Sequence, residues 1–311
     1  MPEVIGYILT LNALFTWALA SLVYKFALGK TKSKASLLFR LLLVSLWTFF
    51  ISLIFGNYSN ISILNSQQII DYIVACVISG LSVTIGDLLY FISLQKIDAS
   101  RAYPLTQLSL IFVYPFAFLF FGESLKPSIL LGGALILSSV FILSSKDSPI
   151  VDQISSDLKN KPKESLIIGI ICAIGCAFLW AIAIISFNQA RIISNDVFIT
   201  NFIRVVFGAT FFLILGIFDR RYYLAFTREE KKHLKYYIYV GLAGSLSLGF
   251  ADSFFYKAAE INGVVLTSTF TANTPMVQQL FSILFLKEKF RKRFIFAVLL
   301  IIVGNYIIIF I

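Results

Sequence analysis

The sequence predicts an all-α integral membrane protein of ten transmembrane helices, arranged as two inverted five-helix repeats. Two observations predict the membrane class: 59% of the 311 residues are hydrophobic, and only 14% carry a charge. This composition is far more apolar than that of an average soluble domain. A third observation, the recurrence of the same polar residues in both halves of the chain, predicts the repeat.

Ten apolar stretches are long enough to cross about 30 Å of hydrocarbon. They lie at roughly 4–24, 37–56, 69–94, 100–121, 127–145, 166–188, 198–218, 236–257, 263–286 and 294–311. The polar connections between them are too short for a soluble catalytic domain or a nucleotide-binding loop. The first stretch has neither a basic leader nor a small-residue cleavage site, so we expect it to be a retained span.

The two halves of the chain follow one plan. At nearly constant offsets, three kinds of residue recur: Asp87 with Asp252, Arg40 with Arg204, and Trp17 with Trp180. The polar stretch 144–165 is typical of a linker, which leaves a first repeat at 1–143 and a second at 166–311. Since each repeat holds five spans, an odd number, the second is expected to enter the bilayer upside down relative to the first.

The distribution of lysine and arginine predicts the orientation. Most of them lie in the loops after the first, third, fifth, seventh and ninth spans, and the opposite face offers only Lys126, Arg191 and Lys257. The positive-inside rule therefore places the rich face in the cytoplasm and both termini outside a plasma membrane. The formal net charge of +10 is then explained by the orientation signal in the cytoplasmic loops and by their attraction to anionic lipid. Nucleic-acid binding is not expected, because no aromatic platform accompanies the charges.

The ordered set of these residues resembles a known family. It includes a Trp in the first helix of each half, an Arg early in the second, and the run "FLFFGESLKPSILLGG" at 118–133. This set is similar to the EamA-like transporters of the drug/metabolite transporter superfamily, and the likeness covers essentially the full chain. The resemblance implies a carrier of small metabolites that works by alternating access.

Two aspartates, Asp87 and Asp252, lie inside otherwise apolar stretches, where an unpaired carboxylate costs several kcal/mol or more. Arg40 and Arg204 are candidate partners, which places one pair toward the cytoplasmic side and the other toward the outer side. We expect these pairs to act as gates or substrate-coupling sites; the alternative is that they only fix helix packing. An aspartate that loses its partner can take up a proton, which is a physical basis for proton coupling.

Four aromatic residues accompany the charged pairs. Tyr90 and Tyr256 follow the two aspartates by about one helical turn, so each phenol shares a helix face with its carboxylate. Trp17 and Trp180 are predicted to face each other across a central cavity, where they would suit an apolar or aromatic substrate. The alternative for the tryptophans is ordinary packing or contact with lipid.

Two amides are the preferred polar candidates for the cavity wall. Gln107 and Asn273 lie in spans that carry Pro104 and Pro275, and these prolines free backbone carbonyls for ligand contact. No metal or cofactor is expected, because the three cysteines, Cys76, Cys172 and Cys176, lie in apolar helices with no histidine near them.

These features favour a secondary active transporter of small metabolites, an exporter or exchanger of amino-acid-like or amphoteric solutes, with proton coupling as an option. Its expected partners are the solute and the bilayer, and it is expected to be a monomer or homodimer and not an enzyme. A channel would require a continuous polar stripe. The remaining alternatives are a lipid flippase and an intramembrane enzyme that uses Asp87 and Asp252, whose carboxylates would then have to share one plane.

Overall fold

The computed structural model describes residues 2–97, 99–144, 163–286 and 292–311, and every regular element in these ranges is helical. The first half contains α1 (Pro2–Leu28), α2 (Ser33–Phe55), α3 (Ser59–Ser62), α4 (Ser66–Lys96), α5 (Ala99–Thr106), α6 (Ser109–Phe121) and α7 (Pro127–Ser144). The second half begins with α8 (Lys163–Ser194) and α9 (Val197–Phe218), followed by 3-10 turns at Arg220–Phe226 and Glu229–His233. It continues with α10 (Leu234–Gly244), a π-helical segment (Ser245–Ala251), α11 (Asp252–Asn262), α12 (Val264–Thr271), α13 (Thr274–Leu286) and α14 (Lys292–Phe310).

The helices have the length and surface of membrane spans. Seven helical stretches are long and apolar enough to cross a bilayer: 3–28, 33–55, 66–96, 102–121, 164–194, 197–218 and 229–262. Two further apolar helices, Pro127–Ile142 and Phe294–Phe310, are shorter. Large apolar side chains on the exterior, such as Ile54 and Phe218 at 71% and 83% exposure, form the kind of surface that lipid covers. The predicted class, an all-helical multi-pass membrane protein, is confirmed.

Two predicted spans are broken in the middle. The stretch at 100–121 divides into α5 and α6, and the stretch at 263–286 divides into α12 and α13. Pro104 and Pro275 lie close to these breaks, where proline removes a backbone donor and restricts the residue before it. The predicted linker at 144–165 lies almost entirely outside the described residues, between the last residue of α7 and the first residues of α8.

The two halves contact each other through equivalent helices. Helix α2 packs on α9 and α7 packs on α14, while α4 lies along α8 and α11 lies along α1. Small residues allow the closest approaches: a Cβ at Gly80 would lie 2.2 Å from the carbonyl oxygen of Arg204, and one at Gly132 would lie 2.6 Å from that of Gly304. Each half therefore offers the same helices to the other, and the predicted site residues lie between them.

Candidate functional site

The first charged pair joins two neighbouring helices of the first half. Arg40 on α2 donates from Nη1 to Oδ2 of Asp87 on α4 at 2.5 Å, and both side chains are buried. The guanidinium lies over the rings of Tyr24 and Phe91, with 5.1 Å and 5.5 Å to the centroids. The sequence-predicted pair forms, and aromatic faces add a further favourable contact for the buried cation.

The second charged pair repeats this arrangement in the second half. Arg204 on α9 donates from Nη2 to Oδ2 of Asp252 on α11. Its guanidinium lies over Phe187 and Tyr256, at 4.5 Å and 5.0 Å from the ring centroids. These two rings occupy the positions equivalent to the rings around the first arginine, so the repeat extends from the charges to the residues that surround them.

The tryptophans connect the two halves at these pairs. Trp17 Nε1 donates to Asp252 Oδ1 at 3.0 Å, and Trp180 Nε1 donates to Asp87 Oδ1 at 3.0 Å. The bare Cα of Gly86 makes room for the second contact, because a Cβ there would lie 2.8 Å from Cδ1 of Trp180. Each carboxylate thus receives the arginine of its own half on one oxygen and the tryptophan of the opposite half on the other.

Both aspartates line one cavity of about 120 Å³ between the halves. All ten predicted site residues line this cavity except Arg204 and Asn273. Trp17 and Trp180 are both in its wall. The expected position of the two charged pairs toward opposite faces of the membrane stays a prediction.

Asn273 is not among the residues that line the cavity. Its Nδ2 donates to the carbonyl oxygen of Phe270 at 2.9 Å and to Oδ1 of Asn305 at 3.1 Å. The side chain therefore bridges the break between α12 and α13 to the last helix, α14. Gln107, at the break between α5 and α6, is in the cavity wall as expected.

Sequence reasoning missed Asn201, which holds Arg204 in place. Its Oδ1 accepts from Arg204 Nε at 2.9 Å, and its Nδ2 donates to the carbonyl oxygens of Leu248 and Gly249 at 3.0 Å each. These carbonyls belong to the π-helical segment directly before Asp252. The available signal was its position three residues before Arg204, which places both side chains on one helix face.

The sequence also missed a hydroxyl pair in the cavity wall. Tyr24 and Ser247 bring their hydroxyl oxygens to 2.6 Å of each other, and both residues line the cavity. The contact joins α1 of the first half to the π-helical segment of the second. Nothing in the spacing of these two residues predicts it, because the contact crosses between the halves.

Two acidic residues at the helix ends have structural partners. The carboxylate of Glu123, after α6, accepts from the backbone N–H groups of Val264 and Val265 at 2.9 Å each, so it caps α12 of the opposite half. Lys257 and Glu260 form an ion pair at 2.9 Å on the surface of α11. The residues that the structure describes contain no group of three or more His, Cys, Asp or Glu side chains able to hold a metal.

Comparisons with known proteins agree with this architecture. The model of the EamA-like transporter family matches residues 4–145 and 167–310, one match for each half. A solved structure titled "Crystal structure of protein" is similar over 97% of this chain and 95% of its own length, with a TM-score of 0.70. The sequence identity is 14%, so this likeness concerns the fold alone. No curated protein matches the chain.

Proposed function

Because the chain belongs to the EamA-like transporter family, we propose that it is a secondary active transporter that moves a small amphoteric metabolite across the plasma membrane by alternating access. The observation that carries this proposal is the pair of buried Arg–Asp contacts, each completed by a tryptophan of the opposite half, around one cavity. Ionisable groups so deep in a membrane protein typically serve a substrate or ion pathway.

The proposal includes ten membrane spans in two inverted repeats, with both termini outside the cytoplasm. The reciprocal packing of α2 with α9, α7 with α14, and α4 and α11 with the first helix of the opposite half supports this arrangement. An odd number of spans in each repeat requires opposite insertion of the two copies. The cavity then lies where the two repeats meet.

The hydrogen bonds at the cavity suggest which contacts change during transport. The Arg40–Asp87 bond lies within one half, whereas the Trp180–Asp87 bond crosses between halves. Movement of one half against the other would therefore preserve the first bond and break the second. A carboxylate oxygen released in this way becomes available to a proton or to an ammonium group of the substrate.

The size of the cavity favours a small solute. Its volume of about 120 Å³ is close to that of an engineered cavity of about 150 Å³ that binds benzene. Two arginines and two aspartates give the site no net charge, which favours an amphoteric solute over an ion. Coupling to protons is part of the proposal, because movement of the halves would release a carboxylate oxygen of a buried aspartate. Export or exchange is a further part of the proposal.

The alternative of an intramembrane hydrolase has one observation in its favour, because Asp87 and Asp252 line the same cavity. A catalytic dyad, however, requires two carboxylates that share a proton. Here each carboxylate accepts from an arginine and a tryptophan instead. The geometry therefore supports transport better than hydrolysis.

The experiment is uptake of radiolabelled neutral amino acids into proteoliposomes, with and without a pH gradient. We expect Asp87→Asn and Asp252→Asn each to reduce the rate at least tenfold and to remove its response to pH. The exposed Glu260→Gln serves as a matched control, since it changes a carboxylate outside the cavity. Full, pH-responsive uptake in both aspartate variants would end the proposal.

A further inference from the structure

The two charged pairs are equivalent by sequence but are held differently. Arg204 is completely buried, and Asn201, Tyr256 and Asp252 all accept hydrogen bonds from its guanidinium. Asn201 in turn bonds to the π-helical segment and to Ser253. The second arginine is thus held by a connected network that leaves it little freedom to move.

The first pair lacks these holding groups. At the positions equivalent to Asn201 and Tyr256, the first half carries Leu37 and Phe91, neither of which has a side-chain acceptor. Arg40 Nε has no hydrogen-bond partner among the residues that the structure describes. An unpartnered donor on a charged side chain this deeply buried is costly, which suggests that another group satisfies it in a different state.

A second unpartnered group lies in the same cavity wall. The hydroxyl of Tyr90 has no partner within the described ranges, although the residue is only 3% exposed. Tyr90 and Arg40 both line the cavity. The aspartate oxygens, by contrast, already accept hydrogen bonds from arginine and tryptophan. Arg40 Nε can only donate, and the Tyr90 hydroxyl can donate as well, so an acceptor group is the one partner that suits both.

We propose that Arg40 and Tyr90 form the recognition subsite for a hydrogen-bond-accepting group, a carboxylate or amide carbonyl, of a small amphoteric solute, while Arg204 is a fixed part of the scaffold. This proposal rests on the transport function proposed above and names the group that the substrate presents. It also assigns different roles to two arginines that the repeat makes equivalent. The subsite is open in the first half because leucine and phenylalanine replace the groups that hold the second arginine.

The experiment measures competition against radiolabelled L-valine uptake in proteoliposomes. The competitors are L-valinamide and 3-methylbutanoate, which keep an acceptor carbonyl, and isobutylamine, which lacks one. We expect the first two to compete and isobutylamine to fail. Tyr90→Phe should raise the half-saturating valine concentration about tenfold, which corresponds to one hydrogen bond to a charged group. The matched control is Tyr72→Phe, a buried phenol that bonds to Thr200 outside the cavity and should leave the value unchanged.

A thermal measurement separates the roles of the two arginines without any ligand. Asn201→Leu removes the group that holds Arg204 and should lower the Tm of the purified protein. Leu37→Asn combined with Phe91→Tyr installs holding groups around Arg40 and should slow uptake while the protein stays folded.

The outcomes distinguish this proposal from the transport function on which it rests. Two results would overturn the subsite and leave the transport function standing. One is that isobutylamine competes as well as valinamide; the other is that valine is taken up but Tyr90→Phe leaves its half-saturating concentration unchanged. No uptake of valine or of the other radiolabelled neutral amino acids would overturn both.

Discussion

Trp17 in the first half and Asp252 in the second are joined by a hydrogen bond of 3.0 Å, although 235 positions separate them in the chain. The equivalent residues of the other half, Trp180 and Asp87, form the same bond at the same length. Each half therefore supplies the tryptophan that completes the other half's charged pair. Both halves therefore form the wall of the cavity.

The contact between Trp180 and Asp87 depends on a glycine. Because a Cβ at position 86 would lie 2.8 Å from Cδ1 of Trp180, Gly86→Ala should displace the indole from the carboxylate. We expect a loss of about 1–3 kcal/mol in the free energy of unfolding, together with slower uptake in proteoliposomes. Gly29→Ala is the control, since a Cβ there would meet its nearest atom at 3.4 Å. Equal stability of the two variants would contradict the steric account.

Glu123 should stabilise the protein by capping a helix of the opposite half. Its two oxygens accept from Val264 and Val265, and a glutamine offers only one acceptor and no negative charge. We expect Glu123→Gln to cost about 1 kcal/mol in the free energy of unfolding. Glu260→Gln, which breaks an exposed ion pair, should change this free energy by less than about 0.5 kcal/mol. The test compares the two losses in the free energy of unfolding. A larger loss for Glu260→Gln than for Glu123→Gln would refute the capping role.

The repeat explains why much of the site could be predicted. Matching one half to the other identified the aspartates, arginines and tryptophans without any structure, and the Arg–Asp partners followed from the cost of burying single charges. The match says which residues are equivalent but not which half each one contacts. For that reason the sequence could not predict that Trp17 and Trp180 each bond to the aspartate of the opposite half.

Other features depended on contacts that no spacing reveals. The prediction for Asn273 rested on the nearby Pro275. The actual partner of its side chain, Asn305, lies in the last helix, and the position of a proline does not indicate such a contact. The π-helical segment before Asp252 has an ordinary α-helix at the equivalent positions of the first half. Both halves are apolar there, so composition could not distinguish the two conformations.

Asp219 connects a membrane-facing helix to the loop beyond it. Hydrogen bonds from Arg221 and Lys34 hold the pKa of the Asp219 carboxyl below its usual range. A carboxyl with a lowered folded pKa contributes stability above its unfolded pKa of about 3.9, and this contribution is lost as the pH falls through the folded value. The Tm difference between wild type and Asp219→Asn should therefore be constant from about pH 5 to 8 and shrink only below about pH 4. A difference that changes near pH 6 would contradict this assignment.

The inverted arrangement can be tested at two equivalent loops. Lys30, after the first helix, and Asn195, after the first helix of the second half, are both exposed. If the repeats enter the membrane oppositely, cysteines at these positions react with a membrane-impermeant maleimide from opposite sides of intact cells. The variants are Lys30→Cys and Asn195→Cys in a Cys172→Ala background. We expect labelling of the second without permeabilisation and of the first only after it; labelling of both from one side would refute the inversion.

The central claim, that each half completes the other's charged pair, is tested most directly by double-mutant cycles on the free energy of unfolding. Trp17→Phe and Asp252→Ala remove the two partners of one cross-half bond, whereas Trp17→Phe and Asp87→Ala remove groups that do not bond to each other. We predict a coupling energy of about 0.5–2 kcal/mol for the first combination and a value near zero for the second. Additive effects in the first cycle, or equal coupling in both, would contradict the claim.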